Sequence, residues 1–283
     1  MRVLVTGAHG LLGAAIMREF AGAELHPFGH AELDVASESA VANAFAAVQP
    51  DVVINCAAYN DVDRAEQQAE AALRTNSLGV LTLARAARQA GAVFVHYSTD
   101  FVFDGEGDRP YVESDEPNPL GVYAASKLLG EWFTRECPRA YVLRVESLFG
   151  HPGEAGTRRG SLGTIVDRIR AEEEVPVFVD RTVSPTYTAD VAKATRAIID
   201  RHLFPDVYHV VNAGAASWLE IAEEAAKYLG RPLCAKHLTL ASANLVAPRP
   251  RYCALSPARL AVAGIAMPSW QDALARYLSL LDR

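Results

Sequence analysis

The sequence predicts an α/β fold built on a doubly wound parallel sheet, with a smaller lobe toward the carboxyl end. Short apolar runs typical of buried strands alternate with helical patterns through the first half of the chain. A glycine-rich turn joins the first apolar run to the first helical pattern. At 283 residues, the chain is long enough for one large domain or for a domain with a smaller lobe.

The first half alternates regularly between strand and helix. Val52, Val53 and Ile54 form a wholly apolar run, as expected for a strand that helices cover on both faces. Strands are predicted at 2–5, 24–28, 51–55, 93–97 and 140–145, and helices at 11–20, 37–48, 62–90 and 123–137.

After residue 149 the pattern becomes less regular. A mobile loop rich in Gly, Pro and Arg is predicted at 151–163. Helices are predicted at 164–171, 188–201 and 218–229, and strands at 175–179 and 207–211. Ser217 and Glu220 have the spacing of a capping box at the start of the last of these helices. No low-complexity linker separates the two halves, which favours a lobe packed on the first domain.

Composition narrows the range of partners. The net charge of −7 and the absence of a Lys/Arg cluster argue against nucleic acid and anionic membranes. The four cysteines are far apart, which suits reduced thiols and predicts no metal site. We expect no signal peptide and no membrane helix, and therefore a cytoplasmic location.

The turn after the first strand carries Gly7, Gly10 and Gly13 in a G-x-x-G-x-x-G pattern. The first glycine permits a tight turn, the second lets the backbone approach a pyrophosphate, and the third allows close helix–strand packing. The helix that follows offers its N–H groups to phosphates. This pattern indicates a dinucleotide site. We therefore expect a dinucleotide-binding Rossmann domain at 1–150, with return elements near 186–202, and mainly a substrate-binding lobe at 151–283.

The choice between NAD and NADP stays open. An acid at the tip of the second strand usually marks NAD, but that strand runs into Phe28-Gly29-His30, and Glu32 and Asp34 come later. The missing acid slightly favours NADPH, with His30 near a 2′-phosphate.

Tyr123 and Lys127 are four residues apart on a predicted helix, so they share one face. An ammonium beside the phenol, with the charge of a nicotinamide ring, lowers the phenol pKa. The tyrosine can then give a proton to a carbonyl oxygen while hydride reaches the carbon. Thr99, at the end of a strand, can hydrogen-bond the same oxygen. These three residues indicate a carbonyl reductase.

Together these features resemble the extended short-chain dehydrogenase/reductases, and more closely the dTDP-4-dehydrorhamnose reductase family. Residues 55–66 are similar to its N-A-A-Y-x-x-V-D-x-A-E segment, and 98–105 to its S-T-D-Y-V-F-D-G. Further similar segments are 116–127, Ser184-Pro185-Thr186-Tyr187, Ser217-Trp218 and Arg249-Pro250.

The resemblance implies Thr99, Tyr123 and Lys127 as the catalytic set. It also implies that residues 56–59 line the nicotinamide side and that Asp34-Val35 lies near adenine. The expected cofactor contacts are Gly7, His9, Gly10, Leu11, Leu12, Gly13, Asp34, Val35, Cys56, Ala57, Ala58, Tyr59, Ser98, Tyr123 and Lys127. The expected substrate contacts are Asp100, Phe101, Phe103, Glu146, Leu148, Arg181 and Trp218, with packing as the alternative for Trp218.

The sequence departs from the family on the substrate side. Where R-T-S-W is usual, the chain has Arg144-Val145-Glu146-Ser147-Leu148, so an aromatic wall becomes aliphatic and a carboxylate is added. Phe101 replaces a tyrosine and Arg181 replaces a glutamine. These changes suggest a different sugar or nucleotide; the alternative is a structural ion pair between Glu146 and Arg181. Arg158-Arg159 could meet a diphosphate or could be solvated.

The implied activity is NAD(P)H-dependent reduction of a nucleotide-linked 4-keto-6-deoxy sugar, in a possible homodimer. A nucleotide-sugar epimerase or dehydratase uses the same loop and Tyr/Lys pair. Asp100 followed by Phe101 argues against dehydration, because a second acid is lacking. The third alternative is a regulatory subunit that binds NADP without turnover, since such a subunit of methionine adenosyltransferase resembles the same family.

Overall fold

The computed structural model describes residues 1–151 and 160–281. Its elements in chain order are β1 (Arg2–Thr6), α1 (Leu11–Glu19), β2 (Glu24–Phe28), α2 (Glu38–Val48), β3 (Val52–Asn55), α3 (Val62–Gln67), α4 (Ala69–Leu73), α5 (Gly79–Ala90), β4 (Val93–Thr99), α6 (Val122–Phe133), β5 (Ala140–Val145), β6 (Leu148–Phe149), α7 (Gly160–Arg170), β7 (Val175–Phe178), β8 (Thr182–Val183), β9 (Thr186–Tyr187), α8 (Thr188–Asp200), β10 (Val207–His209), β11 (Ala216–Ser217), α9 (Trp218–Leu229), β12 (Ala235–Leu238), α10 (Ala258–Val262) and α11 (Trp270–Leu281).

Six parallel strands form the central sheet in the order β10-β5-β4-β3-β1-β2. Two apolar clusters cover its faces: one contains residues of α1 and α8, the other residues of α2 and α5. This confirms the predicted doubly wound parallel sheet. Because the strands are parallel, their carboxyl ends share one edge, where β1, β3 and β4 deliver Thr6, Asn55 and Thr99.

The single helix predicted at 62–90 is wrong. Gln68 leaves the helical region, with φ −127° and ψ 51°, and a π-helical turn at Arg74–Leu78 precedes α5. That turn points the Asn76 side chain inward, where its Oδ1 accepts the Tyr59 N–H at 2.8 Å and its Nδ2 donates to Ser126 Oγ at 3.0 Å. The interruption therefore ties the segment after β3 to α6.

The second lobe has its own core. Residues of α7, α9 and α11 pack around β7, with Trp218, Trp270 and Tyr277 among the buried side chains. The capping box of Ser217 and Glu220 is confirmed at the start of α9. Helix α7 begins at Gly160, earlier than the predicted Thr164. Most of the loop predicted at 151–163, including Arg158 and Arg159, lies outside the described residues.

The two parts of the chain are interwoven. Strand β10 follows the second-lobe residues of β7–β9, yet it pairs with β5 at the edge of the central sheet. Helix α8 packs beside α1 on one face of the central sheet. In the described ranges, no helix is both long and apolar enough to cross a membrane.

Candidate active site

The glycine loop lies against the end of β3. Gly7 has φ +62°, and a Cβ on it would lie 2.6 Å from the backbone carbon of Cys56. A Cβ on Gly13 would lie 2.2 Å from Gly7 O, which forces close packing of α1 on the loop. Gly10 is the N-cap of α1 and no side chain caps that helix. Its first N–H groups are therefore available to phosphates, and the cradle fits a dinucleotide.

The Glu32 carboxylate lies at the tip of β2, although Glu32 comes several residues after that strand in the sequence. The Glu32 side chain folds back and accepts the Gly29 N–H. The His9 ring lies beside it, because a Cβ on Gly29 would come within 2.7 Å of His9 Nδ1. Asp34 accepts from Arg74 Nη2 at 2.6 Å, and this hydrogen bond lowers the pKa of Asp34. Val35 is buried against Gly79.

Buried polar groups fix the segment predicted on the nicotinamide side. Asn55 Oδ1 accepts from Thr6 Oγ1 at 2.6 Å and from the Ala57 N–H at 3.1 Å. Asn55 Nδ2 lies 3.1 Å from His96 Nδ1, so His96 is a buried residue of this network. The backbone of Cys56 and Ala57 consequently faces Gly7 in a fixed position.

Thr99, Tyr123 and Lys127 are brought together and are all buried. Thr99 ends β4, and Tyr123 and Lys127 lie one turn apart on α6. Lys127 Nζ donates to the Tyr97 carbonyl at 2.5 Å. Burial lowers the pKa of Lys127 to about 8. Thr99, at the end of its strand, and the Tyr123 and Lys127 pair on one helix thus share one site.

Without a bound nicotinamide, the groups around the Tyr123 phenol act on its pKa in opposite directions, and the lowering expected with the cofactor stays a prediction. Burial and the nearby Asp100 charge raise the Tyr123 pKa, while a hydrogen bond with Thr99 opposes them. The lysine ammonium is engaged by the Tyr97 carbonyl instead. At neutral pH the phenol therefore keeps its proton.

Two aromatic residues predicted near the sugar have different surroundings. Phe101 is partly exposed, lies edge-on to Tyr123 at 5.9 Å, and has the Arg181 and Arg249 guanidinium groups 5.6 and 5.9 Å from its ring. Phe103 is fully buried and stacks on Tyr111 at 4.2 Å. With no exposed surface, Phe103 packs against other side chains, and its role as a substrate contact stays a prediction.

Below Thr99 lies a buried cluster of Asp100, Glu146, Arg181 and Cys253. The carboxylate oxygens of Asp100 and Glu146 and the sulfur of Cys253 lie within 4.8 Å of one another. Arg181 donates to Cys253 Sγ at 3.4 Å and to Pro250 O at 3.2 Å. Within the described ranges, Glu146 and Arg181 form no direct ion pair. The structure therefore does not bear out the alternative that these two residues form a structural ion pair. Cys253 had no sequence signal, because it comes from a distant segment.

The other predicted substrate residues border the second lobe. Trp218 and Arg181 line a cavity of about 300 Å³ together with Thr164, Ile165, Val177 and Phe178. Trp218 is 7% exposed and belongs to the lobe's core, so it packs as well as lines the cavity. Leu148 is half-buried in β6 and pairs with Thr186.

Comparison with known proteins agrees with this geometry. The family model described as RmlD substrate binding domain matches residues 1–283. The chain is 34% identical over 280 residues to the spore coat polysaccharide biosynthesis protein SpsK of Bacillus subtilis, covering 98% of this chain and 96% of that protein. It superposes on a dTDP-4-dehydrorhamnose reductase from Clostridium acetobutylicum with a TM-score of 0.93, 33% identity and complete coverage of both chains. It superposes on the Bacillus anthracis enzyme, solved in complex with NADP, with a TM-score of 0.91, 32% identity and 98% coverage of both chains.

These matches span the whole chain and confirm the family that the motifs predicted. The buried group of Thr99, Tyr123 and Lys127 and the glycine cradle fit that assignment. The chain belongs to the RmlD substrate binding domain family and is an oxidoreductase of the extended short-chain dehydrogenase/reductase type.

Proposed function

We propose that this protein is an NAD(P)H-dependent reductase of a nucleotide-linked 4-keto-6-deoxy sugar. The observation that carries the proposal is the buried group of Thr99, Tyr123 and Lys127 at the sheet edge that the glycine loop also reaches. Relatives named dTDP-4-dehydrorhamnose reductase support the substrate class.

The loop at Gly7–Gly13 and the backbone of residues 56–59 would hold the dinucleotide, which when bound would supply hydride for the carbonyl carbon. Tyr123 gives its phenolic proton to the carbonyl oxygen, which becomes the new hydroxyl. Thr99 hydrogen-bonds the same oxygen and orients it. Lys127, one helical turn from Tyr123 and held by the Tyr97 carbonyl, keeps a buried positive charge in the site.

The second lobe is the proposed source of specificity. The cavity beside Trp218 and Arg181 suits the nucleotide part, and Arg181 contributes a positive charge to its lining. Phe101 faces the reacting end, because its ring contacts Tyr123 edge-on. The aliphatic Leu148 and the added Glu146 distinguish this site from the family pattern, and we propose a changed sugar or nucleotide as their consequence.

The test is a spectroscopic assay of NADH and NADPH oxidation with dTDP-4-dehydrorhamnose and with related 4-keto sugars on other nucleotides. Turnover on one of them supports the proposal and identifies the nucleotide. Turnover on dTDP-4-dehydrorhamnose as fast as in its dedicated reductases contradicts a changed substrate. Cofactor that copurifies, with interconversion of sugar epimers, supports an epimerase instead; tight NADP binding without any turnover supports a regulatory subunit.

A further inference from the structure

The turn after β2 returns the Glu32 carboxylate to the end of that strand. Strands β1 and β2 pair side by side with Thr6 opposite Phe28, so the glycine loop and the turn after β2 begin at the same edge of the sheet. The Ala8 N–H donates to the Phe28 carbonyl at 3.2 Å and joins the two segments. A ligand held by the glycine loop therefore lies next to this turn.

Backbone and side-chain hydrogen bonds hold Glu32 in this position. The N–H groups of Glu32 and Leu33 both donate to the Gly29 carbonyl at 3.2 Å, and the Gly29 N–H donates to Glu32 Oε2. Leu33 is buried in the core and anchors the turn, while the Glu32 side chain is exposed and accessible to a ligand. Because Oε2 takes the backbone hydrogen bond, Oε1 can accept from a second donor.

The Glu32 carboxylate adjoins the glycine loop. The Cβ position of Gly29 is 3.1 Å from Glu32 Oε2 and 2.7 Å from Nδ1 of His9, which belongs to that loop. In dinucleotide-binding folds of this kind, an acidic residue about 20 positions after the last loop glycine hydrogen-bonds the 2′-hydroxyl of the adenosine ribose. Glu32 follows Gly13 by about 20 positions and has the place that such an acid requires.

The charges around the turn oppose a 2′-phosphate. Arg74 Nη2 lies 2.6 Å from Asp34 Oδ2, so the Asp34 carboxylate already balances that guanidinium. The hydrogen bond from Arg74 and, to a smaller extent, the charge of His30 lower the pKa of Asp34. Glu32 accepts from an uncharged backbone N–H instead, and this leaves its negative charge unbalanced. A phosphate monoester would add about −1.5 to −2 further charge at pH 7.

We propose that Glu32 makes the dinucleotide site selective for NADH over NADPH. A ribose 2′-hydroxyl can donate to the carboxylate in a charge-assisted hydrogen bond. A 2′-phosphate offers only acceptor oxygens and negative charge, and Arg74, which could pair with it, is held by Asp34. This selectivity reverses the slight preference for NADPH that the sequence suggested. The inference rests on the proposed use of NAD(P)H and specifies which form the chain takes.

Fluorescence titration of the full chain with NADH and with NADPH tests the selectivity without any sugar. At an ionic strength of about 0.02 M, we expect the wild-type Kd for NADPH to be at least about tenfold higher than that for NADH. Salt screens repulsion between exposed charges, so this ratio should fall to about threefold at about 0.5 M. A difference caused by steric exclusion alone would not respond to salt in this way.

Glu32→Gln assigns the effect to one residue, because glutamine keeps an oxygen for the Gly29 N–H and removes the charge. We expect the Kd for NADPH to fall about tenfold and the Kd for NADH to rise about two- to threefold. Glu24→Gln is the matched control: it makes the same charge change at an exposed position at the opposite end of β2. The control should leave the ratio of the two Kd values as in the wild type.

Equal wild-type affinities at low salt, or tighter binding of NADPH, overturn the proposal. An unchanged ratio in Glu32→Gln, or an equal change in Glu24→Gln, overturns the assignment to Glu32. A loss confined to NADPH in Arg74→Met also contradicts it, because Arg74 would then leave Asp34 for the phosphate. If neither dinucleotide binds, this inference and the proposed function both fail. If NADH binds with the expected preference but no keto sugar is reduced, the selectivity stands and the reductase function fails.

Discussion

Arg249 Nη2 lies 2.9 Å from Asp63 Oδ2, so one ion pair joins α3 to the segment that follows the second lobe's β12. Asp63 Oδ1 also accepts the Ala247 N–H at 2.9 Å. The Arg249 guanidinium lies over the Phe101 ring, next to Tyr123. The contact therefore connects the two parts of the chain at the place where the substrate is expected.

A double-mutant cycle of Asp63→Asn and Arg249→Met should give a modest coupling energy. Because the Asp63 side chain is 40% exposed, solvent screens the pair, and we expect about 0.5 to 1 kcal/mol from urea unfolding. In the reductase assay, KM should rise more than kcat falls, because Phe101 loses a partner while Tyr123 is untouched. Additive effects on stability together with an unchanged KM would show that the pair is incidental.

Gly13→Ala should destabilise the fold and abolish tight dinucleotide binding. The new Cβ would meet Gly7 O at 2.2 Å and the Ala8 Cα at 2.7 Å, and both are backbone atoms that cannot rotate away. Overpacking of this kind costs about 1 to 3 kcal/mol, measurable by denaturant unfolding, and fluorescence titration should show weaker NADH and NADPH binding. Gly22→Ala is the control, because nothing lies within 4 Å of its Cβ position. Equal behaviour of the two variants would contradict the cradle.

Local chemistry explains which parts of this site the sequence could predict. Gly7, Gly10 and Gly13 act within one turn, and Tyr123 and Lys127 lie on one helix, so their spacing alone defines their arrangement. Four distant segments contribute the buried cluster of Asp100, Glu146, Arg181 and Cys253. No local sequence pattern could therefore predict that these side chains lie together. The helix break at Gln68 and the hydrogen bond from the Gly29 N–H to the Glu32 carboxylate likewise depend on the folded structure. The hydrophobic periodicity of the sequence does not predict such contacts.

Tyr123→Phe should lower kcat by about 10² to 10⁴ while dinucleotide affinity stays close to that of the wild type. The substitution removes the proton donor but keeps the ring that contacts Phe101 edge-on. Steady-state kinetics measures the first effect, and fluorescence titration with NADPH measures the second. A variant as active as the wild type would show that another group delivers the proton.

Lys127→Met should stabilise the protein while removing its activity. Burial lowers the pKa of Lys127 from 10.5 to about 8 in the folded state. Between these values the unfolded chain binds more protons, so the stability of the wild type rises with pH across this window. Below pH 8 the buried ammonium carries its full penalty, and we expect the variant to gain on the order of 2 to 3 kcal/mol there.

The advantage of Lys127→Met should shrink toward zero as the pH approaches 10.5, where both states of the wild type lose the proton. Urea unfolding across this pH range measures the trend, and Lys193→Met, at an exposed position of α8, should show almost none of it. A variant that is less stable than the wild type at neutral pH would mean that the hydrogen bond from Lys127 to the Tyr97 carbonyl outweighs the desolvation of the ammonium. The gap between the two stability curves below pH 8, and the pH at which that gap begins to close, therefore measure how strongly the fold perturbs the pKa of Lys127.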